Sequence, residues 1–423
     1  MKLICADLDR PLPEVPPCTQ GEQWVLVRLH GHPIGFVHPP TSGCEPGELR
    51  RIAIERFGWE IARHLVGDRL DTSPDVDALA RFPAACPREQ RDPRLRVTVA
   101  VCTRNRARQI RECLDALVRL DYPAHLLDIV IVDNAPVDTS TRDVVSEYSR
   151  IRYVLEPRPG LDWARNRAIK ESTGDVVAFT DDDVSVEPGW VAALAAAFDE
   201  EPHAMCVTGL VVPDELDTRA QILFERYGGF GRGFDRWVYR VPAGGSAARL
   251  YGGTGRFGTG ANMAFRRSFF ERDGLFDPAL DVGTPTNGGG DLEMFFRVLK
   301  GGHALVYEPA ATVRHRHRRD YASLKTQIAN NGIGFYSYLV RTAQAYPEER
   351  LAIARLGVWW LWWWNVRRLL RAAIRPRAFP IDLIVAELKG SFTGLRRYAA
   401  ARRHAAGILR KFGLPDEPLR GAV

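Results

Sequence analysis

Three consecutive carboxylates, Asp181-Asp182-Asp183, close a short apolar run at residues 176–180. That run is rich in β-branched residues and reads as a buried strand. Unpaired charges are costly inside a sheet, so the acids belong at the strand's mouth, facing solvent or a cation. A hard divalent cation with a diphosphate satisfies such a cluster. Taken alone, the triplet reads more readily as a solvated acidic turn. Other groups of matching chemistry recur. Asp133 ends a second apolar run, residues 127–134, where an acid can accept hydrogen bonds from a ribose or a base. Arg104 and Arg165 carry forks that fit phosphate oxygens. Backbone amides near Gly160, after Arg158 and Pro159, can face an anion at a helix start. Asp291 follows three glycines and precedes an apolar helix, which suits either a helix cap or a positioned general base. His315-Arg316-His317 alternates, so in an extended segment both imidazoles share one face. Mg2+ or Mn2+ suits carboxylates, and Mn2+ also accepts imidazole.

The elements that must hold these groups alternate. Apolar strands are expected at 97–102, 127–134, 151–155 and 176–180. Amphipathic helices are expected between them at 107–120, 140–149 and 161–172. This spacing means βαβ units and a mostly parallel, Rossmann-like sheet. Right-handed crossovers put all four strand ends on one side. Thr103-Arg104-Asn105, Asp133-Asn134, Arg158-Pro159-Gly160 and Asp181-Asp183 then share a rim. Before this unit, strands at 23–29 and 33–37 flank a His-Gly-His turn, and a helix at 48–70 follows, giving a small αβ module. A Pro- and Arg-rich link at 82–96 separates the two.

The 423-residue chain has ordinary apolar (45%) and charged (26%) fractions, so it has room for two to three domains. Its net charge of +6 is not spread evenly: from Val366 onward there are 13 Lys/Arg against 4 Asp/Glu. The basic character therefore belongs to the tail, and nucleic acid is not an expected partner. The seven cysteines have no zinc-type spacing and read as free thiols in a reducing compartment. The N-terminus has no signal-peptide core, and no apolar run is long enough to span a membrane. A cytoplasmic protein is expected. A P-loop is excluded because no GxxxxGK[ST] exists, and no GxGxxG joins a strand to a helix.

Together, VTVAVCTRNR (97–106), DIVIVDNA (128–135) and PGLDWARNRAIKES-TGDVVAFTDDDV (159–184) resemble a family 2 glycosyltransferase of the GT-A fold. FGTGANMAFR (257–266), Phe276-Asp277, GGGDLEMFFR (288–297) and VRHRH (313–317) agree in order and spacing. The resemblance covers about half the chain, residues 97–319. It implies an α/β GT-A core and transfer of a sugar, with inversion, from a nucleotide-diphospho-sugar, a UDP-sugar first among them, to an acceptor hydroxyl. It assigns Thr103, Arg104, Asn105 and Asp133 to the nucleotide, joined by Arg158, Gly160 and Arg165. Asp181 and Asp182 stand on the donor side, Asp181 toward ribose or metal, with the Asp182 side chain turned away by strand alternation. Asp183, Asp181 and His315 or His317 are assigned to Mg2+ or Mn2+, and Asp291 to the general base. One departure stands out: the family often has Glu before this Asp, and here the residue is Gly290. Glu293 is a substitute base to be weighed. A nucleotidyltransferase, or a catalytically silent sugar- or nucleotide-binding module in a membrane-surface assembly, are the alternatives.

The expected division is an N-terminal αβ module at 1–92, a GT-A domain at 93–320 and a helical, basic region at 321–423. Helices are expected at 321–345, 348–375 and 396–411. The second carries Trp359, Trp360, Trp362, Trp363 and Trp364, followed by Arg367, Arg368 and Arg371. That pairing suits an interfacial helix at the cytoplasmic face of a membrane, or a helix buried against protein. Glycine-rich segments at 227–233 and 251–255 flank the expected acceptor side.

Overall fold

In the computed structural model, residues 2–18, 23–70, 92–241, 256–374 and 379–412 are described. Most of the expected link at 82–96 and the glycine-rich segment 251–255 lie outside them. The central strands are β4 (Val97–Thr103), β5 (Leu127–Asn134), β6 (Ile151–Glu156) and β7 (Val176–Asp181). They run parallel in the order β6-β5-β4-β7. Every residue of β4 is buried, because helices cover both faces. Strand alternation sends Val99 and Val101 into one core layer with Leu114 and Trp190, and Ala100 and Cys102 into the other with Phe179 and Phe265. The crossover helices are α2 (Ile110–Leu117), α3 (Ser140–Ser146) and α4 (Leu161–Glu171). The chain leaves β4 toward β5 and later returns on its other side as β7. The β4/β7 boundary is therefore a switch point, the place where open α/β sheets bind ligands.

Beyond β7 the sheet is mixed, which corrects the expectation of a mostly parallel one. After β8 (Val184–Val186) and α5 (Trp190–Glu200) come β9 (Ala204–Pro213), α6 (Arg219–Tyr227), β10 (Trp237–Tyr239) and β11 (Asn262–Arg266). β11 lies between β7 and β9 and runs antiparallel to both. Then follow α7 (Arg267–Asp273), α8 (Gly290–Lys300) and β12 (Ala304–His315), which pairs parallel with β9 and antiparallel with β8 and β10. The reversal at β11 aims the loop before it, residues 256–261, at the acidic end of β7.

The N-terminal module has one more strand than the sequence suggests. β1 (Ile4–Asp7) pairs parallel with β2 (Val25–Leu29), which pairs antiparallel with β3 (His32–Val37). His30 and Gly31 both adopt positive φ at the hairpin turn. α1 (Pro46–Leu70) follows. Leu3 and Leu26 pack with Leu210 and Val212 of β9, and Arg28 and Arg314 both pair with Glu187. The module is thus fastened to the sheet.

The C-terminal region is helical: α9 (Tyr321–Ala345), α10 (Arg350–Trp360), a π-helical turn (Leu361–Val366), α11 (Arg367–Ile374) and α12 (Ile381–Phe412). α9 and α12 approach closely, since a Cβ on Gly390 would stand 2.2 Å from the Ala329 carbonyl oxygen. None of the described helices is long and apolar enough to cross a membrane.

Candidate active site

One carboxylate oxygen each from Asp181 and Asp183 and one imidazole nitrogen of His315 lie within 4.8 Å of one another. β7 ends at the first acid, and β12 ends at the histidine after running beside β8, so the sheet itself sets this spacing. His315 Nε2 is 3.4 Å from Asp183 Oδ1. The two oxygens and one nitrogen fit Mn2+ or Mg2+, with the imidazole favouring Mn2+. Burial, reinforced by the Asp183 charge, pushes Asp181 up to about 7. Burial also lowers His315 to about 4, so the ring is neutral and its nitrogen lone pair is available. Burial opposes ionisation of Asp183, but neighbouring cations, Arg106 and Arg318 among them, outweigh it and hold that carboxyl low.

His317 does not join this group. Its Nδ1 is 3.0 Å from His315 Nδ1, and its Nε2 is 2.6 Å from Glu225 Oε1. A carboxylate only accepts, so Nε2 of His317 carries a proton. A neutral His317 then accepts at Nδ1 from His315, leaving the His315 Nε2 lone pair facing Asp183. His317 is thereby placed behind the candidate metal group. Glu225 lies on α6, and nothing in its local sequence marks it.

Asp182 turns inward as alternation requires. It accepts from Thr103 Oγ1 at 2.7 Å and from Arg106 Nη1 at 2.6 Å, and Arg106 also reaches Asp183 at 3.1 Å. Asp182 and Thr103 are both buried, so this contact ties β4 to β7 and keeps Asp182 from the donor. Arg106 is the guanidinium that grips the triplet. Arg104, two residues earlier, is exposed.

The nucleotide end of the rim is partly rearranged. Asp133 is fully buried and accepts from Tyr153 at 2.9 Å, while its Oδ1 has no partner. Burial raises its pKa. Asn105, in the left-handed region, accepts from the Val137 amide at 3.0 Å. Arg158 forks onto buried Glu156 at 2.6 and 2.7 Å instead of facing the rim. The Gly160 amide is taken by Asn134 Oδ1 at 2.8 Å, so it offers no donor to an anion. Asn134 also donates to the Arg158 carbonyl at 2.7 Å, which makes it the clamp of this loop.

Asp291 is the second residue of α8. Its Oδ2 accepts from the Gly260 amide at 2.8 Å and its Oδ1 from the Leu292 amide at 2.9 Å. It is half-buried, and two fixed amides aim it at the same pocket that Asp181 lines. Glu293 is no substitute base. It is fully buried, forked by Arg297, and paired with Arg341 at 2.6 Å. Gly290 has a steric cause: a Cβ there would stand 2.3 Å from Asp162 Oδ2. Asp162 is buried, pairs with Arg165 at 3.1 Å, and is pushed up by burial to about 7. Arg165 lines the pocket but is committed to that pair.

The pocket holds about 510 Å³. Its lining includes Asp181, Arg165 and Asp291 together with Trp359, Trp360, Trp363 and Trp364.

Residues 98–274 match the sequence profile described as Glycosyl transferase family 2. This segment is a family 2 glycosyltransferase domain. The chain is 25% identical over 237 residues to the glucosyl-dolichyl phosphate glucuronosyltransferase of Haloferax volcanii, covering 52% of this chain and 69% of that one. It is 29% identical over 294 residues to the pre-mycofactocin glycosyltransferase of Mycobacterium tuberculosis, covering 67% and 57%. The chain thus spans little more than half the length of the second relative. A mannosyltransferase of Pyrobaculum calidifontis solved with GDP-Man and Mn2+ is 19% identical, with a TM-score of 0.42 over 84% of this chain and 85% of that one. Of the sequence-marked acids, Asp181 and Asp291 line one pocket, whereas Asp133 is buried away from it. Arg106, which grips the triplet, and Glu225, which holds His317, were not marked by the sequence.

Proposed function

We propose that this glycosyltransferase moves a sugar from a nucleotide-diphospho-sugar, a UDP-sugar, to an acceptor hydroxyl with inversion at the anomeric carbon. The observation that carries the reading is that Asp181, of the candidate metal group, and Asp291 line one pocket. Asp133 supports a uracil base, since its unpartnered buried oxygen can accept the N3–H donor that uracil offers. In a single displacement the acceptor oxygen attacks opposite the departing diphosphate, and Asp291 takes the hydroxyl proton as the C–O bond forms. Asp181, Asp183 and His315 would hold Mn2+ or Mg2+, which when bound supplies Lewis-acid stabilisation of the leaving diphosphate. Asp162 and Arg165 hold the Gly290 end of α8 and so set the direction of Asp291.

A thermal-shift screen of nucleotide sugars with and without Mn2+ tests donor binding, because a ligand of the folded state raises Tm. A metal-dependent shift with a UDP-sugar is expected. The Asp291→Asn variant should keep that shift while turnover falls about 10³-fold. Unchanged turnover would remove Asp291 from the mechanism, and a wild-type protein that binds donor without turnover would favour a silent binding module.

The same reading places the protein peripherally at the cytoplasmic face of a membrane. Trp359, Trp362 and Trp363 are 43%, 58% and 43% exposed, and Arg367 lies over the Trp363 ring at 3.7 Å. Such a face suits a lipid headgroup layer. Co-flotation with anionic vesicles is the check, and absence of binding would count against it.

A further inference from the structure

Asp133 presents two unlike oxygens. β5 and β6 run parallel, with Ile131 beside Tyr153 and Asp133 beside Leu155. Residues 131 and 133 share a face, so Tyr153 is the diagonal neighbour of Asp133 on it. The part-exposed Tyr153 donates its hydroxyl to Asp133 Oδ2 at 2.9 Å, while Oδ1 is buried without a partner. Burial raises the Asp133 pKa, and the Tyr153 bond acts against that by favouring the charged form. The other charges facing the pair are Asp138, beyond β5, and Arg142 and Asp143 on α3.

The surroundings suit a base. Beyond Asp133, the Val137 amide donates to Asn105 and joins the loops after β4 and β5. Asn105 and Ala135 both hold positive φ there, a backbone cost that non-glycine residues bear most often at ligand sites. β5 lies two strands from β7, about 10 Å across the sheet. The ribose and phosphates of a nucleotide bridge that gap, from Asp133 to the candidate metal group.

Bases differ in the donors they bring to a carboxylate. Uracil offers N3–H alone, and hypoxanthine offers N1–H alone. Guanine offers N1–H beside an N2 amine, and this pair matches a carboxylate whose two oxygens are both open. Cytosine has an acceptor at N3, which a carboxylate repels.

We propose that Tyr153 is a base-specificity residue: by occupying Asp133 Oδ2 it leaves a single acceptor, which admits a base with one ring N–H and disfavours the paired donors of guanine. The inference rests on the reading of Asp133 as the base contact. A site whose buried polar groups are matched one for one discriminates through the group left unpaired.

The test uses the full chain with Mn2+ and four nucleotides, UDP, CDP, GDP and IDP, with affinities measured by calorimetry. Inosine diphosphate is guanosine diphosphate without the N2 amine, so ring size is held constant. In the wild type UDP should bind most tightly, and GDP should gain nothing over IDP. In Tyr153→Phe the freed Oδ2 should give GDP about a 10-fold advantage over IDP. Asp133→Asn supplies a second readout. Tyr153 should pin the amide oxygen and turn the NH2 group toward the base, so CDP should overtake UDP. Adding Tyr153→Phe should erase that reversal. An unchanged GDP-to-IDP ratio in Tyr153→Phe would overturn the proposal, as would failure of GDP to bind that variant. Should Tyr153→Phe not fold, the Asp133→Asn protein decides, and an unchanged UDP-to-CDP ratio there would remove Asp133 from the base and the proposal with it. If the wild type binds a purine nucleotide more tightly than UDP while the GDP-to-IDP ratio still responds to Tyr153, the UDP reading fails and the filter stands.

Discussion

Glu225 Oε1 lies 2.6 Å from His317 Nε2, and through that contact a helix outside the central rim fixes which nitrogen of His315 faces the acids. Partners behind metal ligands typically contribute 10–100-fold in affinity. Glu225→Gln should therefore weaken Mn2+ binding about 10-fold, measured by calorimetry or by electron paramagnetic resonance of free Mn2+, with little change in Tm. An unchanged affinity would show that His315 is oriented by something else.

Asp182 and Asp183 are adjacent, yet different readouts should report their loss. Asp183→Ala removes a carboxylate of the candidate metal group and should abolish the Mn2+-dependent part of donor binding. Asp182→Ala leaves Thr103 and Arg106 without their shared acceptor. Arg106 remains about one-third exposed, so the cost is about 2 kcal/mol of stability, seen by denaturant unfolding. Equal effects of the two variants on metal binding would undo the separation.

Gly290→Ala drives a methyl group to 2.3 Å from Asp162 Oδ2, and neither group has free space. Activity should fall at least 10-fold and Tm should drop, because the turn that starts α8 must shift. Gly67→Ala on α1, where nothing stands within 4 Å, serves as the control and should be neutral or stabilising by up to about 1 kcal/mol. If both substitutions behave alike in melting and assay, Asp162 does not exclude a side chain at position 290.

Glu387 gives a pH signature. It is buried at the pocket wall, accepts from the Tyr227 hydroxyl, and is raised by burial to about 8. A free glutamate titrates near about 4.3. The folded state therefore holds this proton more tightly than the unfolded state. Its contribution is complete below about pH 4 and is lost as the pH rises toward 8. Glu387→Gln cannot ionise, so its Tm should gain on the wild type steadily between those limits. A pH-independent difference would mean that Glu387 is ionised in the fold.

Strands β4 to β7 were legible because each is an uninterrupted apolar run between amphipathic helices, a pattern set by burial on both faces. The same pattern placed Asp133 and the Asp181–Asp183 triplet at strand ends. What escaped depends on long-range pairing. Arg104 and Arg106 are equivalent in the sequence, and only the course of the loop after β4 decides which one meets the acids. Gly160 has the amide an anion would use, but Asn134, from another strand, reaches it first. The antiparallel entry of β11 carries no local mark, since a five-residue strand with a three-residue apolar centre reads the same in either direction. Glu293 resembled a spare base until Arg297 and Arg341, four and 48 residues further on, closed around it.

Helix α12 is the final described element, and it reaches back to the heart of the rim. Tyr398 and Ala401 pack on Ala279 and Leu280, Ala405 and Ile408 pack on Trp163, and the Tyr398 hydroxyl donates to Asp277 at 2.8 Å. Leu280 in turn accepts from the Gly290 amide at 3.0 Å, one residue before Asp291. On the ribosome, the sheet and its acids emerge well before this brace does. The Asp291 carboxylate, the proposed general base, is therefore set last, by a segment more than 100 residues downstream of it. A nascent chain stalled before Tyr398 would carry the donor-facing strands without a fixed base.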